Sequence, residues 1–389
     1  MPDMINMAIL KVAGRCNLNC SYCYEFNLAD HGLKQGPRFM SDAVFTATLH
    51  RLKDAAESQG QTRVGLSFHG GEPCLIGWRK FAAWCEQARS HMRPLDLRIS
   101  IQTNGTLLSP EWAKVFLDND VDVGVSIDGT PDVHDRARVN HVGKGSYAAV
   151  RRGIELMIAE NVRFGVLNVI PLGADPIVIH RHLVDDLGCR SINYLMPDVT
   201  HETVKPLHSE FGPTPCADFL IPIFDDWWFN STLNIRIRIF WEMARLILGG
   251  KSHLDAFGNI PLGFVVVNPA GDIQGLDVLK ACGDGIVDTG LNALTDDFGR
   301  LRAASPLHAQ MIFDGPPLPD GCRGCPEQFT CSGGYHPHRY SPQRQFNNPS
   351  AWCADLLKIF AHMRHRLEVD PAETSRLRDE LENRAAVAA

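Results

Sequence analysis

The chain has 389 residues, 44% of them hydrophobic and 21% charged, which excludes a disordered or collagen-like polypeptide. Lys plus Arg is 38 against 45 for Asp plus Glu, a net charge of −7, so no basic excess points to nucleic acid. No apolar run approaches the roughly 18 residues of a membrane helix, and the start, Met1-Pro2-Asp3-Met4, lacks the features of a secretory signal, so the reading is a cytoplasmic protein with no membrane partner.

In chain order, apolar and β-branched runs at Met7–Val12, Val64–Phe68, Leu97–Gln102, Val121–Ile127, Phe164–Ile170 and Ile192–Leu195 read as strands. Amphipathic stretches at Ser41–Ala56, Trp78–Met92, Pro110–Asn119, Tyr147–Glu160 and Pro176–Leu187 lie between them, several opening on Ser, Asp or Pro as helices do. This alternation predicts an α/β protein with a parallel sheet and helical crossovers. Six strands are too few for a closed eight-stranded barrel and enough for an open, partial (β/α)6 barrel over residues 1–235. Cys216–Gly250 reads as helical with an irregular middle. From about Lys251 periodicity fades, and residues 314–350 are dense in Gly, Pro, Cys, His and Arg. A segment of that length and texture packs no core alone and implies an organising metal site in a loop-rich domain over 236–368. Residues 369–389 read as a charged tail, a helix that frays.

The twelve cysteines are unevenly spread. A long, unsecreted chain needs no disulfide staples, so clustered Cys at short spacing points to metal or iron–sulfur ligation. Cys16, Cys20 and Cys23 follow the first strand with the spacing C-x3-C-x2-C and no fourth Cys nearby. A structural zinc site wants four closed ligands, whereas three thiolates leave one iron of a four-iron cluster open to an exogenous molecule. Zinc, or incidental buried cysteines, is the alternative. Further motifs fall at successive strand ends: His69-Gly70-Gly71-Glu72-Pro73, then Gln102-Thr103-Asn104-Gly105-Thr106, then Ser126-Ile127-Asp128-Gly129 with Arg138 beyond it. Glycines let backbone approach a ligand, a carboxylate complements an ammonium, and Arg clamps a carboxylate. Alone, the Gly-Gly-Glu-Pro string is more often a turn, and for each of the other polar residues the alternative is a solvent-facing side chain.

The three-cysteine spacing, with Tyr22 beside its third Cys, resembles the radical S-adenosylmethionine (SAM) superfamily. The resemblance implies a reducible [4Fe-4S] cluster on Cys16, Cys20 and Cys23 whose open iron is chelated by SAM. An electron from a donor such as flavodoxin or ferredoxin then cleaves SAM to a 5′-deoxyadenosyl radical, which abstracts a substrate hydrogen. It implies SAM contacts from Tyr22, Gly70, Gly71, Glu72, Pro73, Gln102, Asn104, Ser126, Asp128 and Arg138, with the Gly-Gly-Glu element meeting the SAM amino group.

Cys322, Cys325, Cys331 and Cys353 resemble the SPASM extension of that superfamily, which usually binds two auxiliary clusters. Here Leu276 stands where an upstream ligand belongs and Tyr335 where another does, so the resemblance implies one auxiliary [4Fe-4S] cluster, closed by four thiolates. A four-Cys zinc is the alternative. In related sulfatase-maturating enzymes an Asp directly after the missing ligand removes a substrate proton, which makes Asp277 the candidate base, the alternative being an Asp in a turn. Cys74, Cys85, Cys189 and Cys216 read as buried structural residues, His336 and His338 as surface loop, and Trp227-Trp228 as packing at a domain junction. The resemblance spans about residues 7–360 and implies a precursor peptide as substrate. Leu10–Arg15, Arg38–Ser41, Leu279-Lys280 and Phe346–Ser350 look like a peptide-maturase subgroup that joins an aromatic ring to a neighbouring β-carbon, a cyclophane crosslink. Formylglycine formation, thioether formation and epimerisation are the alternatives; for epimerisation Cys282 is the first suspect as hydrogen donor. With the first cluster at residue 16, no N-terminal leader-recognition domain fits, so leader binding falls to the barrel or SPASM surface, a sheet edge or a separate leader-peptide-binding protein.

Overall fold

A computed structural model describes residues 4–230 and 234–388, with side chains up to residue 382. The opening Met1–Asp3 of the signal-sequence argument lies outside them. In chain order the strands are β1 (Met7–Ala13), β2 (Arg63–Gly70), β3 (Asp96–Thr103), β4 (Val121–Ser126), β5 (Phe164–Val169), β6 (Ser191–Leu195), β7 (Arg236–Ile237), β8 (Phe264–Val267), β9 (Asp272–Gln274) and β10 (Asp288–Asn292). The predicted β1–β6 are all present, within two residues at each end.

The chain divides into two compact units, residues 1–167 with 261–315, and 168–260 with 316–389. This differs from a sequential division at residue 235. The reason is strand pairing: β8, from the region expected to be loop-rich, pairs in parallel with β1, Met7 opposite Phe264 and Leu10 opposite Val267.

In the first unit the sheet order is β10-β9-β8-β1-β2-β3-β4-β5. Neighbours from β8 through β5 are parallel, and β9 and β10 add antiparallel strands that the sequence reading missed. The strands alternate with the helices Asp42–Ser58, Trp78–Met92, Pro110–Asp118 and Tyr147–Ala159. Ser41 caps the first of these, its hydroxyl accepting from the Val44 N–H at 3.2 Å. Every second residue of β2, including Val64, Leu66 and Phe68, is buried beneath these helices. Phe45 stacks on Trp84 at 4.3 Å and Phe68 meets Phe81 edge-on at 4.7 Å, a dense apolar layer that holds the strand ends in fixed positions.

The second unit carries β6 and β7, paired in parallel, and the helices Pro215–Asn230, Arg238–Ile247, Cys353–Val369 and Pro371–Ala388. Trp227 and Trp228 are buried within it, beside Phe224 and Phe240. The C-terminal segment is a docked helix rather than a fraying tail, because Leu377 and Leu381 on one face are buried. All twelve cysteines are free, and Cys74, Cys85, Cys189, Cys216 and Cys282 are buried. Among the described residues no helix is long and apolar enough to cross a membrane.

Candidate active site

The first unit gathers the predicted motifs at the C-terminal ends of β1–β4, where parallel α/β sheets place their ligands. The loop after β1 carries Cys16, Cys20 and Cys23. Gly70 and Gly71 lie against that loop: a Cβ on Gly70 would stand 2.6 Å from the Ala13 carbonyl, and one on Gly71 2.3 Å from that of Arg15. The Gly71 and Glu72 N–H groups donate to those same carbonyls, at 2.8 and 3.0 Å. The glycines thus admit the cysteine loop itself, where the sequence reading had them admitting a ligand. Glu72 is fully buried. One oxygen accepts from the Cys74 N–H at 2.9 Å and the Thr103 hydroxyl at 2.7 Å, and the other from the Asn104 N–H at 2.7 Å. Both oxygens are occupied by the chain's own donors. Glu72 therefore ties the end of β2 to the end of β3, where the sequence reading had it facing an ammonium. Pro73 opens the short turn that follows.

Asn104 extends this brace to the first cysteine, its amide donating to Asn17 Oδ1 at 2.9 Å and lying 3.7 Å from Cys16 Sγ. Gln102 donates to Ser126 Oγ at 2.9 Å, so two predicted SAM contacts meet across β3 and β4. Arg138 Nε donates to Asp128 at 2.8 Å, Tyr22 donates to the same carboxylate oxygen, and the guanidinium lies 5.4 Å over the Tyr22 ring. Burial pushes the Cys20 thiol up, and the neighbouring Arg138 charge opposes it. His134, which the sequence reading missed, is fully buried: its Nδ1 accepts from the Asp128 N–H at 3.2 Å and its Nε2 meets Ser146 Oγ at 3.0 Å. Burial, then the Arg138 charge, lower its pKa to about 4, so it is neutral. Burial, then the Glu72 charge, push Cys16 up to about 12, and burial with Glu25 pushes Cys23 to about 11. Bare, these thiols stay protonated. A bound metal centre supplies the positive charge that makes them thiolates.

Asp277 sits in a short turn after β9 and is buried. It pairs with Lys11 of β1 and accepts from the Tyr24 hydroxyl at 2.7 Å. Lys11 also meets Glu25 at 2.6 Å, the Tyr24 oxygen at 3.2 Å and His69 Nδ1 at 3.1 Å, and Lys280 holds the other Glu25 oxygen at 2.6 Å. Two cations and two carboxylates therefore balance inside the core. Burial would raise the Asp277 pKa, but the Lys11 and His69 charges and the Lys11 and Tyr24 hydrogen bonds outweigh it and hold the carboxyl well below the usual range. Burial and Lys11 bring His69 down to about 4. Sequence reasoning found Asp277 and missed its partners; the available signal was a lysine inside the apolar run Met7–Ala13, a position that demands a buried counter-charge.

In the second unit, Cys322, Cys325, Cys331 and Cys353 line one pocket, together with Glu327, Gln328, Gly333, Pro349, Ser350 and Leu357. Cys353 begins the helix Cys353–Val369. Asn348 holds the surrounding loop by donating to the carbonyls of Arg339 and Gln345 at 2.8 and 3.0 Å, and Asn347 bridges to Asp320. His336 and His338 are buried rather than on the surface, His336 stacked 4.2 Å from Phe346 and His338 edge-on to Tyr335. Among the described residues no three His, Cys, Asp or Glu side chains converge on a single metal ion. A cluster takes its thiolates at separate corners and so spreads them wider than one ion does.

A family model for the radical SAM superfamily matches residues 10–176. The chain is 30% identical over 259 residues to the cysteine-type anaerobic sulfatase-maturating enzyme of Clostridium perfringens, covering 65% of this chain and 68% of the relative. The chain belongs to the radical SAM superfamily. It is 25% identical to the serine-type anaerobic sulfatase-maturating enzyme of Bacteroides thetaiotaomicron over 85% of this chain and 82% of that one. The structure of native anSMEcpe with bound AdoMet and Kp18Cys peptide matches it with a TM-score of 0.78 and 23% identity, over 97% of this chain and 99% of that chain, which shows a shared fold. This is accordingly a radical SAM enzyme, with SAM and iron–sulfur cofactors. The cyclophane subgroup suggested by sequence phrases finds no support among these matches; the sulfatase-maturating alternative does. Phe346–Ser350, one of those phrases, includes the two asparagines that shape the loop around the second cysteine set.

Proposed function

We propose that this enzyme oxidises a Ser or Cys side chain of a peptide or protein to the aldehyde formylglycine. The observation that carries the reading is Asp277, a buried carboxylate held ionised by Lys11 and Tyr24 in the unit that bears Cys16, Cys20 and Cys23. Its relatives' names describe maturation of sulfatases at cysteine or serine. In this reading Cys16, Cys20 and Cys23 hold the SAM-binding cluster, while Tyr22, the Gly70–Pro73 turn, Gln102, Asn104, Ser126, Asp128 and Arg138 shape the SAM pocket. When bound, these cofactors supply a 5′-deoxyadenosyl radical. The substrate β-carbon gives up one hydrogen atom, and its hydroxyl or thiol gives a proton to Asp277. One electron must also leave the substrate; Cys322, Cys325, Cys331 and Cys353 would hold an auxiliary cluster that could accept it, with an external electron carrier to take it onward. A serine thereby loses two hydrogens; a thioaldehyde from cysteine exchanges sulfur for water's oxygen.

Anaerobic incubation with SAM, a reductant and sulfatase-type peptides bearing Ser or Cys tests this by accurate mass. Loss of two hydrogens from Ser, or exchange of sulfur for oxygen with that loss from Cys, with trapping by a hydrazide, is expected. A mass loss that no hydrazide traps, located between an aromatic ring and a β-carbon, would overturn it in favour of crosslinking.

A further inference from the structure

Arg339 is 1% exposed, and its guanidinium meets no carboxylate among the described residues. Its donors go to neutral oxygens: Gly334 O at 2.6 and 3.0 Å, Pro317 O at 2.8 Å, Ser332 O at 2.9 Å and Asn259 Oδ1 at 2.8 Å. A buried cation without an anion is costly. The backbone is shaped to hold it there. Directly after Cys331, Ser332, Gly333 and Gly334 all take positive φ, +54°, +88° and +72°. That run of left-handed residues, uncommon for Ser, turns the Ser332 and Gly334 carbonyls onto the guanidinium. A Cβ on Gly333 would come within 3.1 Å of Arg339 Cζ. The titratable groups that face Arg339 are the thiols of Cys331 and Cys322, and a guanidinium stays protonated in proteins.

We infer that Arg339 is a fixed counter-charge for the auxiliary cluster, a positioning residue that raises the cluster's reduction potential and so favours its role as electron acceptor. This rests on Cys322, Cys325, Cys331 and Cys353 being that cluster's ligands. Four thiolates make such a cluster anionic, and reduction adds one electron, and so one further negative charge, beside the guanidinium. Net charge around a cluster is one of the factors that set its potential.

The test uses the full chain with Cys16, Cys20 and Cys23 all changed to Ala, so that the auxiliary cluster alone is read. Iron and sulfide content and the midpoint potential, from EPR-monitored titration, are compared with and without Arg339→Gln and Arg339→Lys. Gln keeps hydrogen bonding and removes the charge; Lys keeps the charge and loses the fork that ties the loop. A more negative midpoint in Arg339→Gln, with Arg339→Lys near the parent, is the expected result. Loss of the cluster in Arg339→Gln but not in Arg339→Lys supports the same conclusion. An unchanged midpoint in Arg339→Gln, or loss of iron in both, overturns it and leaves Arg339 as a loop clamp. Absence of four-iron content in the parent itself overturns the ligand assignment and the inference with it.

Discussion

The two cysteine-bearing units treat buried charge in opposite ways. In the first, Lys11 and Lys280 are matched by Glu25 and Asp277, so the protein balances its own charges around the candidate base. In the second, Arg339 is sealed among carbonyls with no carboxylate in reach among the described residues. A balanced buried set marks a site whose protein groups are complete before a ligand arrives. An unbalanced one marks a site completed by an anion that the polypeptide does not supply. The difference also separates two kinds of work: moving a proton, which needs a carboxylate of fixed state, and receiving an electron, which needs a tolerated gain of negative charge.

Four substitutions or titrations challenge that contrast. The largest effect belongs to Cys16→Ala, Cys20→Ala or Cys23→Ala. Each should reduce 5′-deoxyadenosine formation to the uncatalysed background while the far-UV circular dichroism stays native; turnover at the parent rate would contradict the assignment. Next is Asp277→Asn, which keeps an acceptor for Tyr24 and removes the base. Product should fall about 10²–10⁴-fold, while chromatography still detects 5′-deoxyadenosine, uncoupled from peptide oxidation. Equal loss of both products would instead make Asp277 a structural residue.

Lys11→Met leaves two buried carboxylates facing one cation. Urea unfolding should show a loss of about 3–5 kcal/mol, as when one partner of a buried pair is removed. The double change Lys11→Met with Glu25→Gln restores the balance and should be less destabilised than Lys11→Met alone. Additive losses would mean that the four charges are not coupled.

The smallest effect is a pH dependence. His134 has a folded pKa near 4, below its unfolded value of 6.5. Between those values the unfolded chain binds more protons, so acidification from pH 6.5 towards 4 destabilises the fold, by roughly 1–3 kcal/mol for this imidazole. His134→Gln should flatten that slope in urea titrations; an unchanged slope would place the effect on His69 or elsewhere.

Much of this organisation could be read from the sequence. The β/α alternation through Leu195 was legible because each strand is a short apolar run flanked by helix-start residues. The strand-end motifs were legible because their order follows the strands. The strands β8–β10 were not: Phe264–Val267 is only four residues long and lies in Gly- and Pro-rich surroundings, and its pairing with β1 is a contact across some 250 residues that no local period encodes. The brace that Glu72 makes was not legible for a related reason. A carboxylate after two glycines looks free to meet a ligand until Thr103 and the Asn104 N–H are seen to occupy it. The Lys11 network joins residues 11, 25, 69, 277 and 280, so sequence could signal only that a buried lysine needs partners, not which ones. Arg339 was legible merely as one more basic residue in a polar loop, because its isolation is a property of packing.

The most direct test of the proposed oxidation uses a sulfatase-type peptide deuterated at the β-carbon of its target Ser or Cys. The account predicts that deuterium appears in 5′-deoxyadenosine and that one deuterium remains on the resulting aldehyde. Transfer of label only from the β-carbon of another residue, with a new bond to an aromatic ring, would contradict it.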